Sequence, residues 1–177
     1  MTKLQAWFER NFDFSFPAEL LPNVCMRLRG TPARLEEITR DCAGEILVTK
    51  PGKSWSAQEH AGHLLDLEPL WTARVKDFTI GGAVLTKADL SNQKTHQANH
   101  NASSIEKILG SFRKERFELM RQLDSIDSPV LSRTMLHPRL KKPMRLVDHL
   151  FFVAEHDDHH LARIWELTRG GVDAVRD

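Results

Sequence analysis

The sequence has few cysteines, no long apolar run and no excess of one charge. Its 177 residues include two cysteines, Cys25 and Cys42, and no Cys-x-x-Cys pair. Any metal site must therefore use nitrogen and oxygen ligands. Because the amino terminus has no apolar export signal, we expect a cytoplasmic protein whose two cysteines are reduced and partly buried.

The charge balance and the hydropathy argue against two classes of partner. Lys and Arg total 25 against 24 Asp and Glu, so the net charge of +1 lacks the basic excess of nucleic-acid binding proteins. One basic cluster, from Arg139 to Arg145, is interrupted by prolines and is expected to be a solvated loop. No segment approaches the roughly 20 apolar residues of a membrane span. We therefore expect neither nucleic acid nor membrane as a partner.

Apolar residues recur at spacings of three and four, which predicts an all-α protein. The chain length fits one domain over residues 1–177, with residues 1–16 as an amino-terminal arm. The first helix opens after Phe16-Pro17. Because Gly30-Thr31-Pro32 lies within it, we expect this helix to be kinked or broken.

Three further helices are predicted to complete a four-helix bundle. The second covers about residues 56–79 and begins at a capping box, Ser56-Ala-Gln-Glu59. The third covers about residues 102–123, and the fourth runs from Pro143 to Arg169. Residues 83–100 show no sustained period and form a long crossover loop between the second and third helices. Four long helices with one long crossover describe a bundle.

Three histidines are predicted to hold a divalent metal ion. His156 and His160 are four residues apart and therefore lie on one helix face. The surrounding helix is apolar, so both imidazoles should be half-buried and in need of partners. His63, two turns into the second helix, provides a third ligand. Helical bundles build metal sites from facing helices, and three protein ligands leave coordination positions open, as in catalytic sites.

Other side chains are candidates for the wall of the same pocket. His149 lies seven residues before His156 on the same face, about 10 Å away by helical rise, and is expected at the mouth of the pocket. His100 belongs to a polar stretch of the crossover loop that could close over the ion. His60 and His159 point in other directions, so we do not expect them to be ligands.

Arg116 falls within the apolar stripe of the third helix, and two interpretations are open. Its stem could cross the core and carry its charged head to water, which is the common behaviour of such arginines. Alternatively, it is a buried cation directed at an anion in the pocket.

The chain resembles the DinB/YfiT-like family of metal-dependent enzymes over nearly its whole length. In that family, the His after a Trp-Ser helix start and two His four apart in the last helix are the metal ligands, which assigns this role to His63, His156 and His160. The resemblance implies a kinked four-helix bundle, usually dimeric, that binds nickel, zinc or a similar divalent ion. It rests on Gly30-Thr31-Pro32, Trp55-Ser56 with His63 eight residues after that Trp, Leu64-Leu65-Asp66-Leu67-Glu68, Trp71 with Arg74, His137-Pro138, and His156-x-x-His159-His160-x-x-x-Ile164.

The resemblance also implies a small-molecule substrate, but it leaves the reaction open. Characterised family members resemble thiol-dependent enzymes, including the mycothiol-dependent maleylpyruvate isomerase and bacillithiol transferases. A transferase would use a low-molecular-weight thiol as co-substrate and hold it as thiolate, whereas a hydrolase would use the ion to activate water. Both reactions use the same three histidines.

The sequence bears on three alternatives to an enzyme of this family. The four-residue spacing of the His pair argues against a His-Asp phosphohydrolase. A ferritin-like di-iron site needs two Glu-x-x-His motifs, and Asp157-x-x-His160 is only a near match. A non-catalytic metal-binding or stress-response bundle stays open.

We further expect a symmetric homodimer. The resemblance implies it, and the arm carries four phenylalanines, which is more apolar than a free tail should be. The alternative is that the arm packs on its own bundle. The four residues are Phe8, Phe12, Phe14 and Phe16.

Overall fold

The computed structural model describes residues 4–173, which form a mostly helical protein. The four long helices pack on one another as a bundle, which confirms the predicted architecture. In chain order the helices are α1 (Leu21–Thr39), α2 (Gly44–Val48), α3 (Ala57–Ile80), α4 (Gln93–Gln97), α5 (Ile105–Asp124), α6 (Ser128–Leu131) and α7 (Leu146–Asp173). The strands are β1 (Thr134–Leu136) and β2 (Pro143–Arg145). Within the described residues, 3₁₀ turns cover Trp7–Glu9, Ala18–Leu20 and His100–Ala102.

Helix α1 continues through Gly30-Thr31-Pro32, so the break that the sequence allowed does not occur. Pro32 has no backbone N–H, which leaves the carbonyl of Leu28, four residues earlier, without its usual helical donor. Arg116 Nη1 donates to this carbonyl at 3.1 Å. A side chain of α5 therefore replaces the hydrogen bond that the proline removes, and α1 remains one helix.

Helix α3 begins and ends where the sequence predicted. Glu59 N donates to Ser56 Oγ at 3.1 Å, and Ser56 N donates to Glu59 Oε2 at 2.9 Å, which completes the capping box. Gly81 ends the helix in the left-handed region, with φ of 82° and its N–H bonded to Asp77 O. The well-defined start places the histidines of α3 in its first two turns.

A short hairpin before α7 departs from the all-α prediction. Strands β1 and β2 pair antiparallel, with Met135 opposite Met144, and both methionines are buried. Strands of three residues are too short to show a period of two in a sequence, which explains why the pattern did not reveal them. The hairpin loop carries His137 and Arg139 to the side of the bundle where the pocket opens.

The amino-terminal arm packs on its own bundle. Phe12 is buried, and its carbonyl accepts a 2.6 Å hydrogen bond from Lys142 Nζ. Arg145 Nη2 donates to the carbonyls of Phe14 and Phe16 at 3.3 and 2.9 Å. Two members of the basic cluster therefore fix the arm, which a purely solvated loop would not do. Of the four arm phenylalanines only Phe8 is exposed, and one exposed side chain does not form a dimer interface.

Two apolar clusters fill the bundle, and a polar layer separates them along the helices. One cluster includes Leu28, Phe78 and Leu150, and the other includes Leu35 and Phe112. On α7 the residues between the clusters include the histidines of the predicted metal site. Both cysteines are free and half-buried, as expected. Among the described helices, none combines the length and the apolar character of a membrane span.

Candidate metal centre

The structure brings together the three histidines that the sequence singled out. His63 on α3 faces His156 and His160 on α7, and all three are buried. One potential ligand atom from each lies within 4.8 Å of the other two. The Nε2 atoms of His156 and His160 are 3.2 Å apart. Three nitrogens that converge in this way fit one small cation.

A chain of hydrogen bonds determines which nitrogen His63 presents. Thr95 Oγ1, on α4 in the crossover loop, donates to Asp66 Oδ2 at 2.9 Å and lies 3.0 Å from His63 Nδ1. A hydroxyl has one proton, and a carboxylate only accepts, so this proton belongs to the bond with Asp66. Thr95 Oγ1 must then accept from His63 Nδ1–H. The free lone pair of His63 is therefore on Nε2, and this nitrogen is the one that can bind a metal ion.

His100 completes this chain behind His63 and does not line the pocket, which corrects the prediction. Its Nε2 lies 2.8 Å from the same oxygen of Asp66, Oδ2. The ring lies against Gly62, where an added Cβ would be 2.2 Å from the Cγ atom of His100. Glycine at position 62 thus allows the ring to approach the backbone of α3. Sequence alone could not show this contact, because the two residues are far apart in the chain.

His60 contacts the ring of His160 from the side away from His156, and sequence reasoning missed it. The two Nδ1 atoms are 2.9 Å apart. With Nδ1 of His160 engaged, its Nε2 is the nitrogen that faces His156. The signal was present as a histidine three residues before His63, a spacing at which helical side chains are neighbours.

Burial keeps the three imidazoles neutral at pH 7. Desolvation lowers the pKa of His63 to about 4, although the charge of Asp66 opposes the shift. Desolvation, reinforced by neighbouring imidazoles, lowers the pKa of His156 and His160 well below the usual 6.5. Neutral imidazole is the form that binds metal ions. The donor set therefore fits a divalent ion without prior loss of protons.

Arg116 lies within the polar layer and follows neither of its two interpretations. It is fully buried, with Nη2 2.6 Å from Glu68 Oε1 and Nη1 2.5 Å from Asp157 Oδ2. Burial alone would lower the pKa of Arg116, but the two carboxylates raise it above its ordinary value. Thr31 Oγ1 also donates to Asp157 at 2.9 Å. The cation therefore joins α1, α3, α5 and α7 beside His156 and does not reach the pocket.

His149 is also absent from the pocket wall. It is fully buried, with ring centroids of Trp71 and Phe78 at 6.0 and 6.1 Å. Neither ring nitrogen has a hydrogen-bond partner among residues 4–173. The seven-residue spacing to His156 correctly indicated a shared helix face, but two turns before His156 this face packs against the apolar core.

The three candidate ligands line a pocket of about 370 Å³, within the usual range for small-molecule sites. The crossover loop contributes Lys87, Asp89 and Asn92 to its wall, and His159 lies in the wall beside the candidate ligands. The site is therefore open to a small molecule. The wall is otherwise largely apolar and includes five aromatic side chains, Trp7, Phe8, Trp55, Trp71 and Phe152.

A four-helix bundle with three histidines on facing helices, open to a pocket, offers three ligands to one metal ion and leaves coordination positions free. Residues 27–164 match the sequence model of the DinB superfamily, and the chain belongs to that superfamily. Comparison with curated proteins finds no significant match.

A solved structure supports the same fold. It is that of YfiT from Bacillus subtilis, described as "a probable metal-dependent hydrolase with an unusual four-helix bundle topology". The two chains superpose with a TM-score of 0.77 over 91% of this chain and 93% of YfiT, at 20% sequence identity. At that identity the likeness establishes the shared bundle and not the activity.

Proposed function

We propose that this protein is a divalent-metal-dependent enzyme that acts on a small molecule, with His63, His156 and His160 as the metal ligands. The observation that carries the proposal is the convergence of three buried, neutral imidazoles at the wall of an open pocket. Structural zinc sites are closed by four protein ligands, whereas catalytic sites keep a position free. The open position favours an enzyme over a non-catalytic metal-binding or stress-response bundle.

The donor set narrows the choice of metal. Imidazole nitrogens suit borderline ions, and we propose nickel or zinc. When bound, such an ion supplies the Lewis acidity that makes water or a thiol a nucleophile at neutral pH. The chain of Thr95, Asp66 and His100 would hold His63 in the ligand orientation, and His60 would do the same for His160.

Other residues of the pocket would accept a proton and surround the substrate. Burial lowers the pKa of His159, so its imidazole is neutral and can accept a proton from a nucleophile in the pocket. Trp7 and Phe8 of the arm line the pocket together with residues of the crossover loop, and they would limit the access of water to the reacting groups.

Hydrolysis is the first candidate reaction, because YfiT is described as a probable metal-dependent hydrolase. Transfer of a low-molecular-weight thiol to a small electrophile is the second candidate. The polarizable aromatic wall suits a thiol sulfur, which makes favourable contacts with aromatic rings. Both reactions need the same open coordination positions.

Turnover assays with and without a thiol test the proposal. The wild-type protein, loaded with zinc or nickel, would be assayed on small esters, amides and aryl halides, each with and without cysteine. Turnover that chelation removes and His160→Ala abolishes supports the enzyme. His96→Ala is the matched control, because His96 is exposed and outside the candidate ligand set. Dependence on cysteine would assign thiol transfer, and turnover without it would assign hydrolysis.

Two results would contradict the proposal. Turnover that is equal in wild type and His160→Ala would place the chemistry elsewhere. A loaded protein that turns over none of these substrates would favour the non-catalytic alternative.

A further inference from the structure

Two arginines of the pocket wall make no direct contact with a carboxylate. Arg74, on α3, is only 2% exposed; its Nε donates to Thr86 O at 2.9 Å, and its Nη1 lies 3.1 Å from His137 Nε2. Arg139, in the hairpin loop, has a buried Nη2 without a hydrogen-bond partner. Within residues 4–173, neither guanidinium forms an ion pair.

The contrast with Arg116 shows that this arrangement is unusual for the protein. Arg116 is similarly buried and has two carboxylates within 2.6 Å. A buried charge without an ion-pair partner is unfavourable, and desolvation accordingly lowers the pKa of Arg74 to about 10, although the charge of Asp77 opposes the shift. Desolvation also lowers the pKa of Arg139. An anionic ligand would relieve both charges at once.

Aromatic rings, and not acids, lie against the two guanidinium groups. The Cζ atom of Arg139 lies 5.7, 5.2 and 5.6 Å from the ring centroids of Trp7, Phe8 and Phe152. Arg74 Cζ lies 5.4 Å from the Trp71 ring. Such contacts attract a cation but leave its net charge intact. The rings therefore position the two charges while keeping them available to a ligand.

The remaining charged groups of the wall do not cancel this excess. Lys87 adds a further positive charge at the rim. Asp89 also lies in the wall, but it is exposed, and its oxygens accept hydrogen bonds from Ser91 and from Gln93 N. His137 stays neutral, because desolvation and the two arginine charges lower its pKa to about 3. The pocket thus combines a basic end with aromatic walls.

We propose that the substrate is a carboxylate with an apolar, aromatic body, and that Arg74 and Arg139 bind its carboxylate. Each guanidinium has an Nη2 that makes no hydrogen bond within the described residues, so each keeps donor capacity for one carboxylate oxygen. The aromatic side chains would pack on the body of the substrate. This inference rests on the proposed function, because it names the substrate class of the same site.

Calorimetric titration of the purified, metal-containing protein tests the inference, with 2-naphthoate and its neutral isostere 2-naphthamide as probes. We expect 2-naphthoate to bind at least tenfold more tightly than the amide. Arg139→Gln should reduce this preference to less than threefold. Arg29→Gln is the matched control, because Arg29 is exposed, lies 5.4 Å from the Phe117 ring and is outside the pocket wall. It should keep the wild-type preference.

Several outcomes decide the matter. Equal affinity of the wild type for both probes overturns the inference, and this comparison needs no variant to fold. A preference that persists in Arg139→Gln also overturns it, because the carboxylate would then be bound by the ion or by another group. Elemental analysis of the same samples separates the two claims: a metal-free protein that prefers naphthoate would refute the proposed function and support the carboxylate site.

Discussion

Thr95 Oγ1 lies 3.0 Å from His63 Nδ1, so a residue of the crossover loop determines which nitrogen His63 offers to a metal ion. The hydroxyl oxygen can accept from His63 Nδ1–H because its own proton is donated in a 2.9 Å hydrogen bond to Asp66. The loop is thus a component of the site as well as a connection between helices.

Replacement of Thr95 by Val should weaken metal binding. Valine has the same shape but no hydroxyl, so His63 loses the acceptor that keeps Nδ1 protonated. We expect the dissociation constant for zinc to rise by about 10- to 100-fold, the usual effect of removing such a partner. Competition with a chromophoric chelator measures it. Thr95→Ser, which keeps the hydroxyl, should remain near wild type, and an unchanged affinity in Thr95→Val would argue against the role of Thr95.

Replacement of Gly62 by Ala should destabilise the bundle. The added Cβ would lie 2.2 Å from His100 Cγ, so the ring must move and its bond to Asp66 must weaken. We expect a loss of about 1–3 kcal/mol in the free energy of unfolding, as for other overpacked sites. Gly110→Ala on α5 is the control, because nothing lies within 4 Å of its Cβ. It should gain up to about 1 kcal/mol. Urea unfolding of both variants compares them, and equal stabilities would contradict this packing.

The stability of the metal-free protein should fall as the pH decreases from about 6.5 toward 4. The pKa of His63 is about 4 in the fold, against 6.5 in the unfolded chain, and that of His60 is about 3. Between these values the unfolded chain binds more protons than the native state, so acid favours unfolding. Each such histidine contributes up to about 1.4 kcal/mol per pH unit. Urea unfolding in the presence of chelator at pH 7 and pH 5 measures it, and equal free energies at both would contradict the lowered pKa values.

The homodimer remains a prediction, which now rests on the family resemblance alone because the arm packs on its own chain. Light scattering at micromolar concentration should return about twice the 20.3 kDa of one chain. A mass near that of one chain would exclude the dimer under those conditions.

Local signals predicted most of the fold, and long-range contacts account for what they missed. The capping box at Ser56 and the period of the helices depend on neighbours in sequence, so the bundle could be predicted. The His pair of α7 also follows a local spacing. By contrast, the hydrogen bonds that link His63 to His100, and the ion pairs of Arg116, join segments that are far apart in the sequence. Periodicity indicates a helix face, but it does not say what lies opposite, which is why His149 and His100 were misplaced.

Metal content is the most direct test of the central claim. Wild-type protein, purified without a nickel column and dialysed against trace zinc and nickel, should contain close to one divalent ion per chain by elemental analysis. His160→Ala should lose the ion, while its helical content by circular dichroism stays the same, because the apolar clusters and not this side chain hold the bundle together. His96→Ala should retain the ion. A wild-type protein without metal, or a His160→Ala variant that keeps a full complement of metal, would contradict the account.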